Sequence, residues 1–331
     1  MKIAIVKLSA LGDIVHSMVV LQFIKKFNKE ILIDWFVEES YKDLLESNPD
    51  INKVHFINIK NAKKKKSLLA LIRELKKVRK LSNYDLVIDM QGLIKSAIIS
   101  RLIPSSETLG FDKFSIREGL ASFFYNKTFY CAYDKNIIER NIGLIEFALG
   151  LKVDKKQIKN KDPFLFSRKK KLDHKLSNTK NNILLIPGAS HQSKCYPASK
   201  LAELSTLIDA NFIVIWGSRE EEILAREIKF ISPNVKILNK LKLEELILLI
   251  SQLDLVIGSD TGPTHFAWAL NIPSITLFGP TPGFRNTFGT KINKIIESKS
   301  EVNPYKIDFK DRSIEEINIS DITKLAKKLI V

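Results

Sequence analysis

The sequence has little cysteine, no long apolar run and a deficit of acidic residues. Its two cysteines, Cys131 and Cys195, are too few for a disulfide framework, and no CxxC or His/Cys ladder suggests a structural zinc site. No stretch approaches the ~18 consecutive apolar residues of a membrane-spanning helix. Lys7 and Asp13 interrupt the apolar start and no small-residue cleavage site follows, so we expect a strand there rather than an export signal. These absences favour a protein of a reducing compartment that does not span a membrane.

Two nucleotide-binding fingerprints are also missing. The pattern G-x-G-x-x-G does not occur, which disfavours a dinucleotide cofactor, and no loop ends in G-K-[ST], which disfavours a Walker-type ATPase. What the chain has in excess is positive charge: 53 Lys and Arg against 37 Asp and Glu give a net charge of +16. Nucleic acid, an anionic membrane surface and a phosphorylated substrate all remain possible partners on this ground.

The length predicts two domains, because 331 residues exceed the ~250–300 at which a single core stops growing. Continuous Val, Ile and Leu runs, typical of strands buried on both faces of a parallel sheet, alternate with helix-period segments. In the first half the predicted strands are Lys2–Lys7, Leu32–Val37, Val54–Ile57, Leu86–Asp89 and Thr108–Gly110, and the predicted helices include Ile14–Phe27 and Leu68–Leu81. This alternation is typical of a doubly wound α/β domain.

A lysine-rich polar stretch interrupts the pattern before the alternation starts again. The later predicted strands are Ile183–Ile186, Phe212–Trp216, Val235–Leu238, Leu255–Ile257 and Ser274–Phe278, and the helices are Ser199–Ile208, Glu220–Ile231, Glu244–Leu253, Pro263–Leu270 and Ile314–Ile330. We therefore expect a first domain over 1–160, a linker over 161–182, a second domain over 183–312, and a last helical segment over 313–331 that packs back on the first domain.

The turn Ser9–Asp13 follows the first predicted strand and precedes the first helix. Ligands of open α/β sheets bind at the carboxyl ends of strands, so this turn is expected to line a binding site. Asp13 has two interpretations: it caps the helix through backbone N–H groups, or it is a carboxylate general base. Spacing alone leaves both open.

Three further strand-to-helix turns carry candidate residues. Ser259–His265 places a carboxylate, a hydroxyl and a glycine at a helix start, where free N–H groups can bind phosphate; the alternative is a cap, with His265 in the core. Pro187–Lys194 could hold a diphosphate, although a lysine at a loop end is usually solvated. Glu220, after Trp216–Arg219, opens a helix and by default only complements its dipole.

A basic tract lies between Lys60 and Lys80, with ten Lys and Arg residues against one acid, Glu74. Most such runs are solvated faces. This density favours a surface that meets a phosphorylated acceptor or an acidic leaflet. Aromatic residues are not interleaved with the charges as a nucleic-acid stacking platform requires.

Four blocks of the sequence resemble the family 9 glycosyltransferases, the bacterial lipopolysaccharide heptosyltransferases. They are Val6–His16, Asp89–Ser96, Ser259–His265 and Phe278–Thr281, in the family's order along nearly the whole chain. Asp34–Glu39 and Arg117–Tyr125 resemble the branch that adds the first heptose rather than the second. The resemblance implies a GT-B architecture, in which two Rossmann-like, doubly wound parallel-sheet domains face a central cleft.

The resemblance also implies an activity and its partners. The expected enzyme is an inverting transferase that moves heptose from ADP-L-glycero-β-D-manno-heptose to a Kdo sugar of Kdo-lipid A, in inner-core lipopolysaccharide synthesis. It implies no cofactor and no metal, a monomer, no nucleic-acid partner, and a peripheral position on the anionic cytoplasmic face of the inner membrane. Two alternatives remain: another member of the family, such as the enzyme that adds the second heptose, and a noncatalytic protein that binds anions or nucleic acid.

Residue roles follow from the same resemblance. Asp13 becomes the base that deprotonates the acceptor hydroxyl. The implied contacts to ADP-heptose are Ala189, Ser190, Lys194, Glu220, Leu241, Asp260, Thr261, Gly262 and His265, and the implied contacts to the acceptor are Lys60, Lys63, Lys64 and Arg117. The sequence departs from the family pattern where relatives often carry arginine in the basic tract and a hydroxyl residue at position 189. Lysine offers no bidentate fork, so looser acceptor recognition is expected.

Overall fold

The computed structural model describes residues 1–59, 67–171 and 175–330. The chain divides into two compact units, Met1–Phe164 and Leu165–Val331. The boundary lies inside the segment predicted to be the linker.

The first unit is built on a parallel sheet. Its strands are β1 (Lys2–Val6), β2 (Leu32–Glu38), β3 (Lys53–Ile57), β4 (Tyr84–Asp89), β5 (Ser105–Phe111) and β6 (Lys127–Phe129). Their order is β3-β2-β1-β4-β5-β6, and every neighbouring pair is parallel. β1 lies at the centre with Ile3, Ala4, Ile5 and Val6 fully buried, because helices cover both faces of such a sheet.

Helices connect these strands. They are α1 (Leu11–Met18), α2 (Val20–Phe27), α3 (Leu68–Arg79), α4 (Ile94–Leu102), α5 (Ile137–Leu149) and α6 (Lys155–Lys159), with 3₁₀ helices at Glu39–Leu44 and Gly119–Phe124. The single helix predicted over Ile14–Phe27 is two adjoining helices. α5 begins after Asn136, whose side chain accepts the Ile138 and Glu139 N–H groups, and it ends at Gly150 with φ of 71°.

The second unit repeats this arrangement. Its strands are β7 (Asn182–Ile186), β8 (Asn211–Val214), β9 (Lys236–Ile237), β10 (Leu255–Ser259), β11 (Ser274–Phe278) and β12 (Asn293–Glu297). The order is β12-β11-β10-β7-β8-β9, again parallel throughout. Its helices are α7 (Ala198–Leu207), α8 (Arg219–Ile231), α9 (Leu243–Ile250), α10 (Gly262–Ala269), α11 (Gly283–Asn286) and α12 (Ile319–Leu329), and its 3₁₀ helices are Gln192–Lys194 and Ser313–Glu316.

Counted from its own first strand, each sheet has the order 3-2-1-4-5-6. Connections leave in opposite directions between the first and fourth strands, and ligands of doubly wound sheets bind in the crevice at this point. In the first unit the point lies between β1 and β4; in the second it lies between β7 and β10. The loops with Ser9–Asp13, Gln91, Pro187–Lys194 and Thr261 follow these four strands, whereas Glu220 comes after β8 and Thr281 after β11.

The last helix, α12, belongs to the second unit. Its buried side chains, Ile322 and Ala326, are part of that unit's hydrophobic core, and the Tyr196 hydroxyl anchors the preceding segment by donating to the Ile317 carbonyl at 2.9 Å. The segment 313–331 was expected to pack back on the first domain. The structure places these side chains in the second unit instead, because the apolar stripe of the helix completes the core beside β11 and α7.

Candidate functional site

The loop after β1 carries Asp13 in the first turn of α1. Asp13 is half-buried, and its Oδ2 accepts the Ala10 backbone N–H at 3.3 Å, so the capping interpretation is observed. Its other oxygen makes no hydrogen bond to any residue that the structure describes. One carboxylate oxygen thus fixes the side chain while the other remains able to accept a proton, and the capping and base interpretations are compatible.

Gln91, at the end of β4, holds the backbone of this loop. Its Oε1 accepts the N–H groups of Leu8 and Ser9, each at 3.1 Å. The turn that presents Gln91 is in turn fixed by Asp89, whose Oδ1 accepts the N–H groups of Gln91 at 2.8 Å and Gly92 at 3.1 Å. Gly92 has φ of 69°, a conformation that favours glycine.

Asp89 is fully buried and is bonded through its second oxygen to the Tyr125 hydroxyl at 2.8 Å. Burial raises the pKa of Asp89, and the hydrogen bonds from Tyr125, Ser96 and the backbone oppose that rise. The Tyr125 ring in turn packs on Gly110 of β5. Asp89 therefore connects the end of β4 to Tyr125. Both of its oxygens are engaged in these hydrogen bonds rather than directed to a substrate.

In the second unit a buried carboxylate, Asp260, gathers four side chains at the carboxyl end of β10. Its partners are Lys194 Nζ at 2.7 Å, His265 Nε2 at 3.1 Å, Thr281 Oγ1 at 3.0 Å and Asn286 Nδ2 at 3.2 Å. Burial alone would raise the pKa of Asp260, but the Lys194 charge and the His265 hydrogen bond outweigh it and hold the pKa far below its usual value. Asp260 is therefore an ionised carboxylate that orients a buried cation.

Lys194 is itself buried, so the solvated-surface alternative for this residue is wrong. It lies in the loop after β7, opposite the start of α10. α10 begins after Thr261 with Gly262 and Pro263, and the Thr261 side chain does not cap its first N–H groups. A buried cation and a helix N-terminus on neighbouring strand ends favour a phosphate-bearing ligand.

Gly188 permits close contact between the β7 loop and the start of α8. A Cβ there would lie 2.2 Å from Glu221 Cγ. The Glu221 carboxylate accepts the N–H groups of Gly217 at 2.5 Å and Ser218 at 3.2 Å. This reciprocal cap fixes the loop after β8 and the first turn of α8, where Glu220 lies exposed.

The structure thus brings Lys194, Asp260 and His265 together, and it places Thr261 and Gly262 at the adjoining helix start. Hydrogen bonds from its own backbone N–H and from Ser218 lower the pKa of the exposed Glu220. The remaining predicted donor contacts lie in loops at the same edge of the sheet: Ala189 and Leu241 are half-buried, and Ser190 is exposed. Their roles stay predictions.

Sequence reasoning missed three contacts. Thr281 and Asn286 complete the shell of Asp260, and Gln91 holds the Asp13 loop. The signals were present, since Thr281 and Gln91 lie in blocks that resemble the family.

The predicted acceptor contacts fall mostly outside the described residues. Lys60, Lys63 and Lys64 lie in the undescribed segment 60–66. Arg117 is exposed, with its guanidinium 5.4 Å from the centre of the Tyr133 ring. In the described part of the chain, no group of three or more His, Cys, Asp or Glu residues is arranged to hold a metal ion. No helix there is long and apolar enough to cross a bilayer.

Comparison with known proteins agrees with this geometry. A family model described as glycosyltransferase family 9 (heptosyltransferase) matches residues 68–313. Lipopolysaccharide heptosyltransferase 1 of Campylobacter coli is 44% identical over 99% of both chains, and that of Escherichia coli K12 is 29% identical over 87% of this chain and 91% of its own. The solved structure of the Escherichia coli heptosyltransferase WaaC with ADP has a TM-score of 0.80 at 24% identity, covering 99% of each chain, which confirms the expected GT-B fold class. The chain belongs to glycosyltransferase family 9, the heptosyltransferases.

Proposed function

We propose that this protein transfers L-glycero-D-manno-heptose from ADP-L-glycero-β-D-manno-heptose to a Kdo residue of Kdo-lipid A, as a lipopolysaccharide heptosyltransferase I. The observation that carries the proposal is the 44% identity to a heptosyltransferase 1 over 99% of both chains. The geometry supports it, because Asp13 follows β1 and Lys194 follows β7, and each of these strands borders the switch point of its sheet.

The second unit holds the donor. Lys194, oriented by Asp260, faces the diphosphate and offsets the negative charge that develops on ADP as it leaves. The N–H groups at Thr261 and Gly262 and the loop at Ala189 and Ser190 bind phosphate oxygens, and His265 supports Asp260. Glu220 and Leu241 contact the adenosine from the loops after β8 and β9. The support for these roles is the burial of the Lys194–Asp260 pair at the start of α10.

Asp13 of the first unit is the general base. Its free oxygen takes the proton of the Kdo hydroxyl as the hydroxyl oxygen attacks the anomeric carbon of heptose. The bond from that carbon to the β-phosphate oxygen breaks, its electron pair leaves with ADP, and the configuration at the anomeric carbon inverts. The mechanism needs no covalent intermediate and no resident metal.

The acceptor approaches through basic side chains. Arg117 is exposed after β5, and Lys60, Lys63 and Lys64 belong to the basic tract of the sequence. Phosphate and carboxylate groups of Kdo-lipid A are their expected partners. The acceptor is a lipid, so the enzyme works as a peripheral protein at the cytoplasmic face of the inner membrane.

Incubation of the protein with ADP-heptose and Kdo-lipid A tests the proposal, with mass spectrometry of the product. One added heptose is expected, also in the presence of a chelator. A matched variant, Asp13→Asn, keeps the Ala10 contact through its amide oxygen and is expected to lose transfer while it binds ADP-heptose as tightly as the wild type. Normal turnover of that variant would remove Asp13 from the mechanism.

The same assay distinguishes the proposed function from its two alternatives. Transfer only to an acceptor that already carries one heptose would identify heptosyltransferase II. A noncatalytic DNA-binding protein would bind DNA with steep salt dependence and would not bind ADP-heptose.

A further inference from the structure

Three large apolar side chains of the loop after β5 lie in solvent. Phe114 is 70%, Leu120 is 64% and Phe123 is 77% exposed. Together they are called here the β5-loop patch. A cluster of this kind on an ordered surface marks an interaction site rather than a core.

The loop is held in a way that turns these side chains outward. Residues 119–124 form a 3₁₀ helix, in which residues three apart are eclipsed, so Leu120 and Phe123 share one side. The opposite side, with Ala121, packs into a small apolar cluster with α4. The exposure of the patch is therefore fixed by the packing of its neighbours.

Phe114 is held next to the start of this 3₁₀ helix. A Cβ at Gly119 would lie 3.1 Å from the Lys113 carbonyl oxygen, which shows how closely the two segments approach. Asp112 Oδ1 accepts the Phe114 and Ser115 N–H groups at 3.1 and 2.9 Å and fixes the turn. The three apolar side chains thus come from two segments in direct contact.

Charged side chains of the same loop lie next to the patch. Lys113 and Arg117 are exposed, with the Lys113 ammonium 4.8 Å from the centre of the Phe114 ring. Of the loop's two acids, Asp112 is half-buried and bonded in its turn, and Glu118 is exposed, with its carboxylate accepting the Ile94 N–H at 2.7 Å. Cations therefore border the apolar side chains. Such a surface, on a chain with a net charge of +16, complements an anionic bilayer.

The patch lies at the edge of the sheet that carries the proposed base. β5 runs parallel to β4, and β4 runs parallel to β1, so the loops after all three strands leave from the same edge. The Tyr125–Asp89 hydrogen bond joins the end of the patch segment to the end of β4. A bilayer bound at the patch would present a lipid-linked acceptor at that edge.

We propose that the β5-loop patch inserts into the interfacial region of an anionic bilayer, with Phe114, Leu120 and Phe123 among the acyl chains and Lys113 and Arg117 at the headgroup phosphates. The proposal deepens the proposed function, because it states how a lipid acceptor is reached. The binding itself does not depend on catalysis.

Tryptophan placed in the full-length chain tests insertion directly. Phe123→Trp is compared with Phe230→Trp, a matched control because Phe230 on α8 of the second unit is 87% exposed. Vesicles of phosphatidylglycerol with brominated acyl chains should quench the new fluorescence of the first variant and not of the second. The native Trp35 and Trp268 are buried and Trp216 is half-buried, so quenching of the wild-type protein is measured and subtracted as the common background. Equal quenching of the two variants, or none in either, overturns the proposal.

Vesicle sedimentation measures how much the patch contributes to membrane affinity. Loss of one inserted phenylalanine weakens partition about tenfold, so Phe114→Ser with Phe123→Ser should weaken it about 100-fold, while Phe230→Ser leaves it unchanged. Thermal unfolding is expected to match the wild type, since these side chains are exposed. Wild-type affinity of the double variant, or no wild-type binding to the vesicles, refutes insertion. Concentration-dependent dimerisation that the double variant abolishes would assign the patch to a second copy instead.

An activity assay on two acceptors distinguishes failure of the proposed function from failure of membrane insertion. On a water-soluble, lipid-free Kdo acceptor, the double variant should transfer heptose at the wild-type rate, whereas on vesicle-embedded Kdo-lipid A its rate should fall with its binding. Absence of transfer by the wild type on both acceptors refutes the proposed function and leaves the vesicle result intact.

Discussion

The buried pair of Lys194 and Asp260 permits a quantitative test by a double-mutant cycle. Lys194→Met removes the cation and keeps most of the side-chain length. Among the described residues, it leaves the buried carboxylate with His265, Thr281 and Asn286 as donors. Breaking a buried ion pair from one side costs ~3–5 kcal/mol. Because three donors remain, the lower end applies, and the free energy of unfolding of the second unit should fall by about 3 kcal/mol.

The cycle is completed by Asp260→Asn and by the double variant. Asp260→Asn leaves the buried Lys194 ammonium without a counter-ion and should also lower the free energy of unfolding by about 3 kcal/mol. The double variant leaves no buried charge, so its loss should be smaller than the sum of the single losses by about 2 kcal/mol or more. Additive losses, or single losses below about 1 kcal/mol, would refute the interpretation of this pair as a desolvated ion pair.

The assay must report on the second unit alone. In a Trp35→Phe background, the remaining tryptophans, Trp216 and Trp268, both lie in that unit, so their fluorescence during urea unfolding follows it. The pH dependence has a defined sign. The pKa of Asp260 is lower in the folded state, so its contribution is complete above the unfolded value of ~3.9 and is lost as the pH falls below it. The difference between wild type and Asp260→Asn should therefore stay constant from about pH 7 to 5 and shrink below about pH 4.

Three further predictions concern the first unit. Gln91→Met should lower kcat about tenfold by releasing the Asp13 loop, without a change in ADP-heptose affinity. Gln91→Glu should restore most of the rate because a carboxylate accepts the same two N–H groups, and equal rates in the two variants would exclude positioning. Gly110→Ala would put a Cβ 2.4 Å from Tyr125 Cε2, so chemical denaturation should show a loss of about 2–3 kcal/mol. Gly150→Ala, with φ of 71° and no atom within 4 Å, should cost only about 1 kcal/mol; a smaller loss at Gly110 than at Gly150 would contradict this reasoning.

The sequence predicts the central strands well because apolar runs report burial on both faces. The runs beginning at Leu255 and Ser274 correspond to β10 and β11, for example. It misses the edge strands β6 and β12, although the edge strands β3 and β9 correspond to the predicted runs at Val54–Ile57 and Val235–Leu238. β6 and β12 contain Lys127, Asn293 and Lys294 and have no continuous apolar run, since an edge strand has neighbours on one side only.

The same distinction applies to the candidate site. The loops at Ser9–Asp13, Pro187–Lys194 and Ser259–His265 can be predicted, because a strand followed by a helix places its turn at the carboxyl edge. The partners of their side chains cannot, because strand order decides which loops meet. Gln91 reaches Leu8 only because β4 lies beside β1, and Lys194 is buried only because β7 lies beside β10. A local pattern therefore suggests solvent for a lysine that the fold buries.

The turns after β1, β4 and β10 carry the aspartates Asp13, Asp89 and Asp260, and their hydrogen bonds decide which of them can act as a base. Asp89 uses both oxygens, for two backbone N–H groups and the Tyr125 hydroxyl. Asp260 also uses both, and its ion pair with Lys194 lowers its proton affinity further. A base must accept a proton from a substrate that reaches it, and neither group has an oxygen available. Asp13 bonds one backbone N–H through one oxygen and is half-exposed. Hydrogen-bond capacity therefore supports the proposed role of Asp13 as the base, in addition to the family resemblance.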